Sequence, residues 1–372
     1  MNRFFSNLGA ISILACAPIV SSCLDVASGR AERDAKIGRS TTNGMTVQVD
    51  DGLAAIRYVD AQEVHLWAGA PSLSIHLTRS SGTTNAYRIR LENILSDAML
   101  TATSTDTASI PVTQVDNPAP TERTWEFTFP PSNAVQLNLR APDADSPEPW
   151  RFAVYADVQE ALGNVRDIYA KMNETPSIRF ALISGDLTSQ GRPEQLEEFQ
   201  RAMKSLSFPC YATLGNHELG TRDDLYHDYF GRGNYSFVFR DARFTMLDSA
   251  SATLDPLVYS WLDGWMTAGR DGLHVVTMHI APIDPVGARN GSFASRAEAD
   301  KLLLLLAQNN VDLTLYGHVH SFYAFENAAI PAYISGGGGA IPERMDGIGR
   351  HFLTVDVKPP QKIEQVAVVR VD

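Results

Sequence analysis

The spacing of apolar positions changes along this chain and divides it into regions. From about Val47 to Leu139, short apolar runs alternate with polar residues. Examples are Val64-His65-Leu66-Trp67, Leu73-Ser74-Ile75-His76-Leu77, Tyr87-Arg88-Ile89-Arg90-Leu91, Trp125-Glu126-Phe127-Thr128-Phe129 and Val135-Gln136-Leu137-Asn138-Leu139. A period of two buries one face of an extended segment and wets the other, so these are strands. Short strands at this density predict an antiparallel sandwich over 45–140. Residues 141–149 (Ala-Pro-Asp-Ala-Asp-Ser-Pro-Glu-Pro) have the composition of a linker. Beyond them, over 150–372, apolar strands alternate with helical stretches at Glu194 to Leu206 and Arg296 to Gln308. The second helix carries Ser295 as N-cap and Glu298 three residues on, a capping box. Strand–helix alternation predicts α/β architecture.

The first 22 residues follow another pattern: Arg3, then an apolar run from Leu8 to Val20 interrupted by Gly9, Ser12 and Pro18. That run is too short to span a bilayer and suits a signal-peptide core. It ends in Val20-Ser21-Ser22-Cys23, which resembles the lipobox of bacterial lipoproteins, with Cys23 as the lipidated residue. The resemblance implies a chain anchored by lipid in the cell envelope, at the outer membrane or the periplasmic face. Residues 23–44 are polar and aperiodic and read as a tether, reaching roughly 25 Å if flexible.

Composition narrows the choice. At 44% apolar and 20% charged, the chain is of ordinary globular make-up, neither disordered nor collagen-like. Its formal net charge of −12, without a basic run, argues against a nucleic-acid partner. Three cysteines cannot build a disulfide framework, and Cys210 reads as a small core residue.

The chemistry lies in what ends the strands of the second region. Phe152 to Ala156 runs into Asp157-Val158-Gln159; Phe180 to Ser184 into Gly185-Asp186; Cys210 to Leu214 into Gly215-Asn216-His217-Glu218; Val275 to Met278 into His279; and Leu313 to Tyr316 into Gly317-His318-Val319-His320. Sites in open α/β sheets lie outside the carboxyl ends of the strands, so these ends converge on one crevice. In extended backbone, Asp157 with Gln159, and His318 with His320, would each face the same way. Carboxylates, carboxamides and imidazoles together suit Mn, Fe or Zn better than Ca or Mg, which prefer oxygen shells.

This ordered set resembles the calcineurin-like metallophosphoesterase family, which carries D-x-H, G-D, G-N-H-[DE], a lone H and G-H-x-H in that order. Gln159 departs from the pattern where the family has histidine. The resemblance implies an αββα sandwich of metallophosphoesterase type, here preceded by a small all-β (Ig/fibronectin-like) domain. It also implies two divalent metal ions. One would be held by Asp157, Gln159, Asp186 and His320; the other by Asp186, Asn216, His279 and His318. His217 would stabilise the transition state or protonate the leaving oxygen, and a metal-activated hydroxide would attack a small phosphoester, monoester or diester. Purple acid phosphatases, a branch of the family, place a tyrosine three residues after the G-D aspartate. Ser189 stands there, so no tyrosinate–ferric centre is expected. The alternative function is a surface lipoprotein whose vestigial phosphoesterase domain is a binding module. Gly336 to Gly339 read as a close-packed turn, Arg289 and Arg296 as solvated, and His274 as a strand residue without a partner.

Overall fold

The computed structural model describes residues 26–80, 86–220, 222–287, 291–343 and 347–371. The predicted signal segment and Cys23 lie outside the described residues, as does Arg289.

Two sheets make up the N-terminal half. One runs in the order Arg39–Thr42, Met45–Val49, Leu73–Arg79, Ala134–Arg140, Met99–Ser104, Ser109–Ile110. The other runs Ala54–Val59, Glu63–Ala68, Ala86–Glu92, Glu122–Thr128, Val112–Ala119. The alternating residues meet between them, with Ile75, Leu77, Ile89, Leu91, Val64, Leu66 and Leu137 all fully buried. One pairing departs from the antiparallel expectation: Glu63–Ala68 runs parallel to Ala86–Glu92. Leu73–Arg79, which intervenes in sequence, crosses to the opposite sheet, and the chain returns in the same direction. Alternation reports which face is buried and is silent on strand order.

The second half is a four-layer αββα structure. Strands Cys210–Ala212, Ile178–Ile183, Trp150–Tyr155, His351–Lys358 and Lys362–Arg370 form one sheet. Tyr235–Phe239, Ala242–Leu247, His274–Met278, Leu313–Tyr316, Ile330–Ser335 and Phe322–Asn327 form the other. Phe152, Phe180, Phe237 and Phe244 interlock between the sheets, with Phe152 and Phe244 edge to face at 5.3 Å. Helices Arg166–Glu174 and Pro193–Met203 cover the first sheet, and Pro256–Gly269 and Arg296–Gln308 the second. The last of these has the predicted bounds, and the Ser295 hydroxyl accepts from Glu298 N at 3.3 Å. Cys210 is buried, as its position suggested.

The expected tether takes ordered form. Val26–Asp34 is a helix and Arg39–Thr42 pairs with Met45–Val49. Arg30 and Asp34 are buried at 1% and 0% exposure. Arg30 Nε donates to Asp248 Oδ2 at 2.5 Å, and Asp34 accepts from Gly233 N, Asn234 N and Asn234 Nδ2. These hydrogen bonds and ion pairs offset much of the penalty of burying the charges, although Arg30 Nη1 has only Asp223 Oδ2, at 3.9 Å, facing it; a polar count along the sequence could not foresee this burial.

The 141–149 seam is also fixed. Asp143 binds both Arg179 and Arg240, and Arg240 reaches Glu148 O. The sandwich docks on the αββα layers through Asn93, whose amide bonds both backbone groups of Cys210, through Lys204 with Glu92 and Glu122, and through Trp67 edge-on to Phe230.

Candidate metal centre

All five predicted segments end at one edge of the αββα structure, at the carboxyl ends of strands in both sheets. Each apolar strand is buried on both sides by neighbouring layers, and the chain turns polar where it leaves them. Trp150–Tyr155 delivers Asp157 and Gln159, Ile178–Ile183 delivers Asp186, and Cys210–Ala212 leads to Asn216 and His217. His274–Met278 places His279, and Leu313–Tyr316 leads to His318 and His320.

These side chains form two clusters with one member in common. Ligand atoms of Asp186, His279 and His318 lie within 4.8 Å of one another, and so do those of Asp157, Asp186 and His320. Asn216 joins the first: its Oδ1 is 3.1 Å from His279 Nε2 and 2.9 Å from His318 Nδ1. Gln159 joins the second, with Nε2 2.6 Å from Asp186 Oδ2 and 3.1 Å from His320 Nε2. Every sequence-predicted ligand is thus in one of the two clusters.

The route differs from the one expected. Asp157, Gln159 and His318 are not in extended backbone; their φ angles are 63°, 46° and 69°, and that of Asp186 is 55°. These left-handed turns, rather than strand alternation, aim the side chains inward. Non-glycine residues held so cost of order 1–3 kcal/mol each and gather at functional sites. Gly215 is needed beside them, because a Cβ there would collide with Asp186 Oδ1. The Gly336–Gly339 turn is close-packed as predicted: Gly338 N donates to Ala156 O at 2.8 Å, and a Cβ on Gly338 would strike that same carbonyl.

Backbone carbonyls fix the imidazoles. His279 Nδ1 bonds Ser184 O at 2.7 Å and His320 Nδ1 bonds Ile341 O at 2.8 Å, so each ring turns Nε2 into the cluster. His217 Nδ1 bonds Ser189 O at 2.7 Å, which leaves Nε2 3.8 Å from Asp186 Oδ2. These carbonyls, invisible to motif reading, are what the sequence analysis missed. So was the packing role of His274, whose Nε2 lies 2.9 Å from Thr245 Oγ1.

The electrostatics follow from crowding. Burial opposes charge on His279, but Asp186 outweighs it and raises the imidazole to about 9. Burial alone would raise Asp186, yet His279 and His217 hold its carboxyl well below the usual carboxylate range. Glu218, at 1% exposure, is pushed up to about 8 by burial and by the Asp186 charge. Its carboxylate accepts from Thr188 N, Thr188 Oγ1 and Gly215 N, tying the Asp186 loop to the Asn216 loop.

The donor set fits metal ions. Asp157 is fully buried, and its Oδ1 has no hydrogen-bond partner among the described residues although it faces His320 Nε2 at 3.4 Å. A buried carboxylate oxygen left so is costly unless a cation meets it. Two donor groups sharing one carboxylate suit a pair of ions.

Residues 151–322, within the αββα region, match the sequence profile of the calcineurin-like phosphoesterase family. A 3',5'-cyclic-nucleotide phosphodiesterase of Nostoc sp. is 24% identical over 153 residues, 39% of this chain. That match spans 57% of the relative's length. Among solved structures, a purple acid phosphatase from yellow lupin (Lupinus luteus) seeds superposes with TM-score 0.48 and 12% identity, covering 81% of this chain and 72% of its own. A dimetal phosphatase from Danio rerio gives TM-score 0.46 and 14% identity over 60% of this chain and 99% of its own.

Proposed function

We propose that this protein is a metal-dependent hydrolase of phosphoesters that works with two divalent ions. The observation that carries the reading is the pair of donor clusters meeting at Asp186. One ion would take Asp157, Gln159, Asp186 and His320; the other Asp186, Asn216, His279 and His318. Two bound ions supply an activated water for in-line attack on phosphorus and neutralise the phosphoryl oxygens.

The chain's own residues do the rest. Asp186 lies between the two donor groups and offers one oxygen to each: Oδ1 lies 3.3 Å from His279 Nε2, and Oδ2 lies 2.6 Å from Gln159 Nε2. Gln159 would hold an ion through its amide oxygen with the amide turned over, a choice set by the hydrogen-bond network. His217 is held by Ser189 O and presents Nε2, one-third exposed, to the substrate side. There it gives a proton to the departing alkoxide. Water adds to phosphorus, the bond to the leaving oxygen breaks, and the products are an alcohol and a phosphate or phosphomonoester.

The Nostoc relative's substrate puts a 3',5'-cyclic nucleotide among the diesters to test. The complete donor set favours hydrolysis over a vestigial binding domain. We further propose that Cys23 carries lipid and holds the protein in the cell envelope. The test is turnover of aryl phosphate monoesters, diesters and a cyclic nucleotide after reconstitution with Mn, Fe or Zn, beside Asp186→Asn. Turnover confined to the unmutated, metal-loaded protein is the expected result. Equal turnover by Asp186→Asn overturns the two-ion reading.

A further inference from the structure

The helix Val26–Asp34 begins three residues after Cys23, so an anchor there has almost no leash. Three residues span about 10 Å at full extension. The helix itself is held rigidly. Besides Asp248, Arg30 bonds Ser251 Oγ at 3.0 Å, and Asp34 Oδ1 lies 3.1 Å from His227 Nε2. Arg232 Nε donates to Asp34 O at 2.7 Å, and Ala31 packs with Val258 and Leu262 of helix Pro256–Gly269.

Its position in the fold is specific. Ala242–Leu247 and His274–Met278 are parallel neighbours, with Leu247 opposite Met278. Asp248 and His279 therefore follow directly on two neighbouring strand ends. Ser249 Oγ, next to Asp248, accepts from Ile280 N, next to His279. The other partners of the helix, Gly233 and Asn234, precede strand Tyr235–Phe239, whose Tyr235 pairs with Met246 at the same end. Arg33 binds Asp224 at 2.8 Å, five residues beyond the Asn216–Leu219 turn. The helix thus lies along the edge that carries the donor clusters. Beside it, Trp261 and Trp265 are half-buried in a cleft of about 780 Å³ whose charged lining is Arg39 and Arg232 together with Asp50 and Asp51. Half-buried indole rings suit the interface between headgroups and water.

We infer that the Cys23 anchor holds this edge against the bilayer, and that the substrate is a phosphoester carried by a membrane lipid. The inference rests on the phosphoesterase reading and names its substrate class; the reaction consumes only water. A site fixed within a short leash of the surface meets lipid headgroups at high effective concentration. A tether of some 20 flexible residues would let it range roughly 25 Å away.

The experiment uses the full-length, metal-loaded protein in phosphatidylethanolamine–phosphatidylglycerol vesicles containing phosphatidic acid, with a soluble aryl phosphate as control. A flexible Gly/Ser segment of about 20 residues is inserted between Asp25 and Val26, and Cys23→Ser is run beside it. Both changes are expected to lower release of phosphate or glycerol phosphate from lipid by at least about tenfold and leave the aryl phosphate rate unchanged. The aryl rate also reports that each variant is folded. Wild-type turnover of the aryl ester without turnover of lipid overturns the inference and spares the phosphoesterase reading; turnover of neither overturns both. Lipid turnover indifferent to the insertion, or to Cys23→Ser, overturns the inference alone.

Discussion

The two donor clusters share Asp186 and differ in almost everything else. On one side Asp157, Gln159 and His320 offer two oxygen-bearing groups and a single imidazole. On the other, His279 and His318 stand 5.2 Å apart, ring edge to ring face, with Asn216 between their nitrogens. On the two-ion reading proposed above, ligand softness would follow this division: the first group would favour harder ions such as Mn or Mg, the second Zn or Fe. The asymmetry comes from one position, Gln159. What the difference teaches is that a paired site is tuned one half at a time, provided the shared carboxylate stays in place.

The hardest test of that division is to remove what the halves share. Asp186→Asn takes charge from both clusters. Several kcal/mol of charge stabilisation corresponds to at least about a thousandfold in turnover. Metal analysis of the same variant should find both ions weakened; loss of one ion alone would mean Asp186 belongs to a single half. His217→Ala comes next, at roughly a hundredfold, with the loss growing as the leaving group becomes more basic. A deficit equal for nitrophenol and alkyl esters would show that His217 gives no proton. Glu218→Gln, acting through Thr188 and Gly215, should cost about tenfold, in metal affinity more than in the chemical step.

Gln159→His should sharpen the comparison by erasing it. Zinc should bind more tightly at one site of two, read by competitive chelation; unchanged affinity and stoichiometry would put position 159 outside the coordination sphere. The smallest effect is one of pH. Without metal, His279 holds its proton up to about 9, against 6.5 for an ordinary imidazole. A raised folded pKa gives stability that is complete below about 6.5 and is lost as pH climbs through 9. Glu218, raised from 4.5 to about 8, acts in the same direction at lower pH. Thermal melting of the metal-free protein should therefore fall from pH 6 to 9, and the metal-loaded protein should resist, since ligation needs the neutral imidazole. A flat metal-free profile would contradict the Asp186–His279 pairing.

The clusters were legible in the sequence because each apolar strand ends abruptly in carboxylate, carboxamide or imidazole residues, a signal that survives without knowledge of strand order. How those residues point inward was not legible. Asp157, Gln159, Asp186 and His318 adopt left-handed backbone that the surrounding turns impose, and nothing in an Asp or a Gln announces it. The sandwich strands could be read from alternation, but the parallel return of Glu63–Ala68 beside Ala86–Glu92 depends on a crossover. Arg30 and Asp34 were least legible. In a polar stretch they look like solvated charges, and only partners some two hundred residues away make them interior.

That separation has a bearing on time. Arg30 and Asp248 are 218 positions apart. At about 5–20 residues per second, roughly 11 to 44 seconds of synthesis pass between them. Until the Gly233–Asp248 stretch has been made and its turn closed, Arg30 and Asp34 remain hydrated and the first helix has nothing to dock on. The first helix therefore cannot dock before residue 248 of 372 has been added, two-thirds of the way along the chain.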